Sequence, residues 1–235
     1  MNTFPTVLFK LSGESLSADG QGVNGVVIKK LAKQLAAVNK KGIALAIVVG
    51  GGNIWRFRDK QHLTIPRVES DYLGMLATIF NAVALTEALK VAGSVVTTLS
   101  AVAAPKELIA PYKIPAAKKV LQAGGIVVLA GGTGKPFVTT DSGAAMRASE
   151  LKASHVLKAT TVDGVYDSDP RKNKHAKKFT TLTYKEALAK KLAVMDEKAF
   201  QILGRAKIPT IVFNFDTPGL FLRAARGENV GTMIQ

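Results

Sequence analysis

Cysteine is absent from all 235 residues, which excludes disulfide scaffolds, thiolate metal sites and a cysteine nucleophile and makes a reducing compartment the natural setting. Aromatic side chains are scarce, at 6% with a single tryptophan, and most fall inside apolar runs. That argues against a protein whose work is stacking unpaired bases, so nucleic acid is not expected as a partner. Acidic side chains are also few, 17 against 32 basic, leaving a formal charge of +15. An excess of that size points to anionic partners such as nucleotides, nucleic acid or acidic lipid. It is spread over both halves of the chain rather than gathered in a basic arm. Long apolar runs are missing: the most apolar stretch, residues 43–49, is far too short to cross a bilayer, and residues 1–10 lack the pattern of a secretion signal. A cytoplasmic protein with no membrane partner is the expectation.

What is present suffices for a full core. Apolar residues make up 47% of the chain, which excludes disorder as the main state. No repeat, low-complexity tract or Pro/Gly/Ser-rich linker interrupts it. Strand-length apolar runs alternate with segments of helical period, the pattern of an α/β fold around a buried, mainly parallel sheet. Strands are predicted over residues 7–11, 43–49, 95–99, 126–130, 155–159, 210–214 and 232–234. Helices are predicted around residues 28–38, 70–91, from about 141, 184–190, 195–206 and from Pro218. The charge-dense stretch 167–178 has no periodicity and reads as a long surface loop.

Several familiar motifs fail. Gly20, Gly22 and Gly25 match G-x-G-x-x-G, but the preceding residues are polar rather than a strand. Gly134-Lys135 resembles the end of a Walker A loop, yet Leu129 stands where its first glycine belongs and Pro136 where Ser or Thr would hold magnesium. His62, His155 and His175 have no metal spacing and read as surface or strand histidines.

Four glycine- or hydroxyl-rich segments follow predicted strands, where parallel sheets bind ligands, and all four could face one cleft. Lys10-Leu11-Ser12-Gly13 offers a cation and a small-residue turn, either for a phosphate or as a strand lysine reaching solvent. Gly50-Gly51-Gly52-Asn53, ahead of Arg56, suits close approach of backbone to a phosphate chain, with a packing-driven crossover as the alternative. Residues 131–141 combine glycines, hydroxyls, Lys135 and Phe137 before a helix that opens near Asp141. Asp141 itself is readable as a helix cap or as a site carboxylate. Residues 158–170 form either a surface turn at Asp163-Gly164 or a cradle for a nucleoside.

Taken in order, Lys10-Leu11-Ser12-Gly13-Glu14, the Gly50-Gly51-Gly52-Asn53 turn, Thr133-Gly134 through Thr139-Thr140-Asp141, and Lys158-Ala159-Thr160 with Val162-Asp163-Gly164-Val165-Tyr166 resemble the amino-acid kinase superfamily. Within it the likeness is to the bacterial UMP kinases. Asp71-Tyr72-Leu73-Gly74-Met75-Leu76-Ala77-Thr78, Val194-Met195-Asp196, Val212-Phe213-Asn214 and Gly231-Thr232-Met233-Ile234 extend it over nearly the whole chain.

The resemblance implies a three-layer αβα sandwich of amino-acid kinase type, one domain over residues 1–235 with an N-terminal lobe for UMP and a C-terminal lobe for the ATP nucleoside. It implies transfer of the ATP γ-phosphoryl group to UMP, giving UDP and ADP in pyrimidine nucleotide biosynthesis, by a magnesium-dependent homohexamer. Carried over by position, Lys10 and Asp141 would be catalytic. Lys10, Leu11, Ser12, Gly13, Gly52, Arg56, Lys158, Thr160, Tyr166 and Asp169 would bind ATP. Gly51, Asp71 and the loop Thr133, Gly134, Lys135, Pro136, Phe137, Val138, Thr139 and Thr140 would bind UMP. Magnesium would be held mainly by the ATP phosphates rather than by protein ligands. Two residues depart from the pattern: Lys135 stands where asparagine is usual, and Phe57 follows Arg56 where glycine is usual. The competing readings are a kinase of another small acid (carbamate, glutamate or aspartate) and a basic nucleic-acid-binding protein.

Overall fold

The computed structural model describes residues 5–59 and 63–235; His62 lies outside them. Eleven strands are described: β1 (Thr6–Leu11), β2 (Ala44–Val49), β3 (Val96–Ser100), β4 (Ala110–Pro111), β5 (Ile126–Ala130), β6 (His155–Thr160), β7 (Val165–Tyr166), β8 (Lys178–Phe179), β9 (Thr181–Leu182), β10 (Thr210–Asn214) and β11 (Thr232–Ile234). The α-helices are α1 (Gly25–Asn39), α2 (Arg67–Val91), α3 (Ile114–Gln122), α4 (Thr140–Leu151), α5 (Tyr184–Ala189), α6 (Glu197–Ala206) and α7 (Leu220–Ala225). Nine strands form one sheet in the order β4-β3-β5-β2-β1-β6-β10-β11-β9, parallel except where β11 runs against β10. A separate antiparallel hairpin, β7–β8, brackets the aperiodic loop expected at 167–178.

Strand alternation sends side chains into two helical layers. Leu8, Ala46 and Val156 pack beneath α3, α4, α5 and α6, whereas Phe9, Leu45, Ile47 and Leu157 pack beneath α1, α2 and α7. β2 is buried along its whole length, which is why it reads as an unbroken apolar run. Each large aliphatic side chain removed from water contributes about 1.5–3 kcal/mol, so the central strands β2, β1 and β6 form the rigid floor on which the loops stand. The expected αβα sandwich is the architecture observed.

The two-residue strands β4, β7, β8 and β9 are too short to leave a pattern and are not expected from the sequence, and the helices depart from expectation in three places. Helix α3 has no counterpart in the pattern reading, because Ala117 and Leu121 are its only fully buried side chains and lysines flank them. Helix α4 is capped by Thr139, whose hydroxyl accepts from the Ser142 N–H, so Asp141 lies inside the first turn rather than at the cap. Helix α2 begins at Arg67 and, with a mean hydropathy of 1.4 over its most apolar 18-residue stretch, is by length and composition apolar enough to cross a membrane, against the expectation that no stretch is. Met75, Ala82, Leu85 and Leu89 are nonetheless buried in the fold, while Tyr72, Leu76 and Phe80 form an exposed stripe. His155 is a buried strand residue whose Nε2 meets the Ala224 carbonyl at 3.0 Å; His175 is exposed.

A buried amide pair ties α2 to the loop after β2. Asn81 Nδ2 donates to the Gly50 carbonyl at 2.8 Å and to Asn53 Oδ1 at 2.7 Å, and Asn53 Nδ2 reaches the Gly22 carbonyl at 2.5 Å. Replacing Asn81 by alanine leaves buried polar partners unpaired and is expected to cost about 2–3 kcal/mol, read as a lower urea midpoint at unchanged slope; a midpoint within error of wild type would refute the assignment.

Candidate active site

Parallel pairing of β1 with β6 sets Lys10 directly beside Lys158. Both side chains lie on the face covered by α4, two residues beyond Leu8 and Val156. Two ammonium groups so placed repel, and Asp141 relieves the repulsion: its Oδ1 lies 3.1 Å from Lys10 Nζ and its Oδ2 2.7 Å from Lys158 Nζ. Side-chain exposures of 13%, 10% and 18% for Lys10, Lys158 and Asp141 keep the cluster largely out of water, where charge interactions are strong. Position in the first turn of α4 adds the favourable field of a helix N-terminus to the carboxylate. Burial foremost, and then the Lys10 charge, pull the Lys158 ammonium down to about 8 against the opposing pull of Asp141. The alternative of a strand lysine reaching into solvent is not what β1 builds.

Two clefts flank this cluster, so the four loops do not share one. The first, of about 620 Å³, lies between the loop after β2, α2 and the loop after β5. Gly51, Asp71, Thr133, Lys135, Val138, Thr139 and Thr140 line it, together with Glu14, Gly52, Arg56 and Trp55. Gly51 is there of necessity: a Cβ would lie 2.7 Å from the Gly74 carbonyl and 2.8 Å from Ala77 Cβ, so the packing reading accounts for this glycine. Arg56 is ion-paired with Glu14. Asp71 accepts from Arg67 Nε at 2.9 Å and from the Phe137 N–H at 2.7 Å, and the Arg67 guanidinium lies 4.8 Å from the Phe57 ring. The unusual Phe57 is therefore a platform for Arg67.

The second cleft, of about 560 Å³, opens on the other side, beneath the β7–β8 hairpin. Lys158, Thr160, Val162, Tyr166, Asp169, Leu192 and Val194 line it. Tyr166 Oη donates to Asp163 Oδ1 at 2.6 Å, and Lys178 Nζ lies 2.8 Å from Asp163 Oδ2. These two hydrogen bonds, Lys178 first, hold the Asp163 carboxyl below its usual range.

Of the residues expected around UMP, Gly134, Pro136 and Phe137 fall outside the lining of the first cleft, with Phe137 exposed at the rim. Of those expected around ATP, Gly52 and Arg56 line the first cleft rather than the second, and Lys10, Leu11, Ser12 and Gly13 line neither. Leu11 is fully buried, so only its backbone is available. Asp196 has no role in the sequence reading but joins the two regions. It accepts from the Thr139 and Ser142 hydroxyls and, through the Ala199 N–H, caps α6. Burial alone would raise its carboxyl; the hydrogen bonds from Thr139, Ser142 and Ala199 outweigh that and hold it low. An aspartate just ahead of a helical run is a cap signal that marks it in sequence. Thr78, whose hydroxyl accepts from the Gly131 N–H at 2.8 Å, carries no such mark.

Lowering of the Lys158 ammonium has a consequence for stability. Between about 8 and the ordinary lysine value of 10.5, the unfolded chain keeps a proton that the folded chain has lost, so stability rises with pH across that window. Urea midpoints taken through it are expected to climb in wild type relative to Lys158→Met; parallel profiles would contradict the burial argument.

The sequence matches the amino acid kinase family over residues 5–214. Among solved structures, UMP kinase from Bacillus anthracis shares 37% identity at a TM-score of 0.93, covering 100% of this chain and 97% of that one. UMP kinase from Ureaplasma parvum shares 34% at 0.92, with both chains fully covered. Uridylate kinase from Archaeoglobus fulgidus shares 30% at 0.76, over 97% of this chain and 99% of that one. With that match spanning every strand from β1 to β10, and with whole-length likeness to three solved kinases, this chain belongs to the amino acid kinase family.

Proposed function

We propose that this chain is a UMP kinase, transferring the γ-phosphoryl group of ATP to the phosphate of UMP to give ADP and UDP, a step of pyrimidine nucleotide synthesis in the cytoplasm. The observation that carries the reading is the Lys10–Asp141–Lys158 cluster between two clefts, in a chain whose full-length structural relatives are UMP kinases. The first cleft, in the N-terminal lobe, suits UMP, and the second, in the C-terminal lobe, the ATP nucleoside. The phosphate chains would then meet over the lysines.

Phosphoryl transfer asks the protein mainly for alignment and for positive charge on a loose transition state. A UMP phosphate oxygen, already anionic at neutral pH, forms the new bond to the γ-phosphorus as the bond to the β–γ bridging oxygen breaks. ADP carries that oxygen away, and no protein nucleophile is required. Lys10 and Lys158 hold charge against the transferring group, and Asp141 sets their positions. Gly52, Arg56 and the backbone of Leu11, Ser12 and Gly13 are at hand for ATP phosphates, Thr160, Tyr166 and Asp169 for its nucleoside. Gly51, Asp71, Thr133, Lys135, Val138, Thr139 and Thr140, which line the first cleft, hold UMP, with Lys135 as an added cation at its phosphate. Magnesium would arrive on the ATP phosphates, with Asp141 the carboxylate at hand beside the lysines. When bound, it would supply positive charge to the phosphate chain.

Assembly belongs to the same reading. Tyr72, Leu76 and Phe80, four residues apart on α2, are 44%, 53% and 61% exposed, an apolar stripe suited to a second copy of the chain in a homo-oligomer, a hexamer on the family pattern. Phe80→Glu is expected to lower the mass measured by sedimentation while leaving the circular dichroism spectrum unchanged. An unaltered mass would remove this face as a subunit contact.

The decisive activity test is ADP release from magnesium–ATP with UMP, CMP, glutamate and carbamate offered separately. UMP is expected to be strongly preferred, and turnover with only a different acceptor would overturn the assignment of the first cleft. Lys10→Ala is expected to lower kcat by about 10²-fold, near 3 kcal/mol of transition-state stabilisation; near-full turnover would sink its role.

A further inference from the structure

Arg147 is a charged residue where helix α4 turns inward. It is 6% exposed, and a well-packed apolar side chain would commonly cost less at such a place. Its guanidinium is held from three directions. Nη1 donates to Glu150 Oε2 at 2.7 Å, Nη2 donates to the Gly132 carbonyl at 3.1 Å, and the plane lies 3.7 Å from the Tyr112 ring centre. Tyr112 Oη donates in turn to Glu150 Oε2 at 2.6 Å, so the carboxylate that holds Arg147 is itself held.

The carbonyl that Arg147 grips begins the loop lining the first cleft. Gly131 and Gly132 both adopt left-handed backbone, with φ of 71° and 55°, and the Gly131 N–H is pinned by Thr78. Beyond them the loop is sparsely tied, by the Gly134 N–H to the Gly131 carbonyl and the Phe137 N–H to Asp71. It ends at Thr139, the cap of α4. Helix α4 thus grips the loop at both ends, by its cap and by Arg147, while presenting Asp141 to the lysines between.

Resting on the UMP kinase reading, we infer that Arg147 is a positioning residue for the acceptor: it fixes the Gly132 carbonyl and thereby the span 133–138 that receives UMP, without touching the substrate. Tyr112 and Glu150 act through it. The test is the split of KM between the two substrates, with thermal unfolding recorded in parallel. Arg147→Lys keeps the charge but loses the planar fork and cannot satisfy both acceptors. It is expected to raise KM for UMP about tenfold, the loss of one charge-assisted hydrogen bond, while KM for ATP stays within about twofold. Tyr112→Phe keeps the ring beneath the guanidinium and removes one support of Glu150. It is expected to raise KM for UMP about threefold, and it carries the test if the lysine variant does not fold. Equal rises in both KM values, or none in either, overturn the inference. Wild-type turnover with a different acceptor and none with UMP overturns the underlying reading instead, and the same KM comparison is then made with that acceptor.

Discussion

The site depends on a carboxylate shared by two lysines that strand register sets side by side. Lys10 and Lys158 are register partners on adjacent parallel strands, and without Asp141 their charges would repel within a largely dry pocket. Meeting that demand fixes where α4 must lie. Its N-terminus has to sit over the carboxyl ends of β1 and β6, and its buried face is built of Ala144, Ala145 and Ala148, small enough for the helix to settle close to the sheet. Thr139, Ser142 and Asp196 then lock the first turn against α6. Packing, capping and charge thus converge on one helix end, and the two clefts are what remains on either side.

Charge is managed locally despite the excess of +15. Around the first cleft Arg56 is matched by Glu14 and Arg67 by Asp71, and at the second Lys178 is matched by Asp163. Exposed pairs of this kind add little to stability, but they hold long side chains in place before an anionic ligand arrives. The paired arrangement also explains why basic composition alone is a poor guide to partner. What separates a nucleotide site from a nucleic-acid surface here is concavity and a buried lysine pair, neither of which composition records.

Much of the fold was legible because parallel strands buried on both faces leave an unmistakable apolar run, as at β2 and β5. Alternation with helical segments did the rest. Helix α3 escaped because it is only nine residues long, so that Ile114, Ala117 and Leu121 give barely one repeat of the helical period beside a proline. The position of Asp141 was legible, and so were its two possible roles, helix cap or carboxylate for the lysines: aspartate and threonine are both good caps, and the three-dimensional placement of Thr139 leaves Asp141 to the lysines. The triple glycine was legible as a close approach, yet what comes close to Gly51 is helix α2. Arg147 lay beyond sequence reasoning because it acts on a backbone carbonyl of a distant segment, a relation that local pattern does not encode; Asp196 was legible as a helix cap, but its hold on the Thr139 and Ser142 hydroxyls was not.

The account's central claim is that two ligands meet over the Lys10–Asp141–Lys158 cluster and exchange a phosphoryl group directly, with no covalent enzyme intermediate. The measurement that reaches it most directly is the stereochemical course at phosphorus, using ATP made chiral at the γ-position with oxygen isotopes and analysing the UDP formed. A single in-line displacement predicts inversion of configuration. Retention would require two displacements through a phosphorylated side chain and would contradict the account.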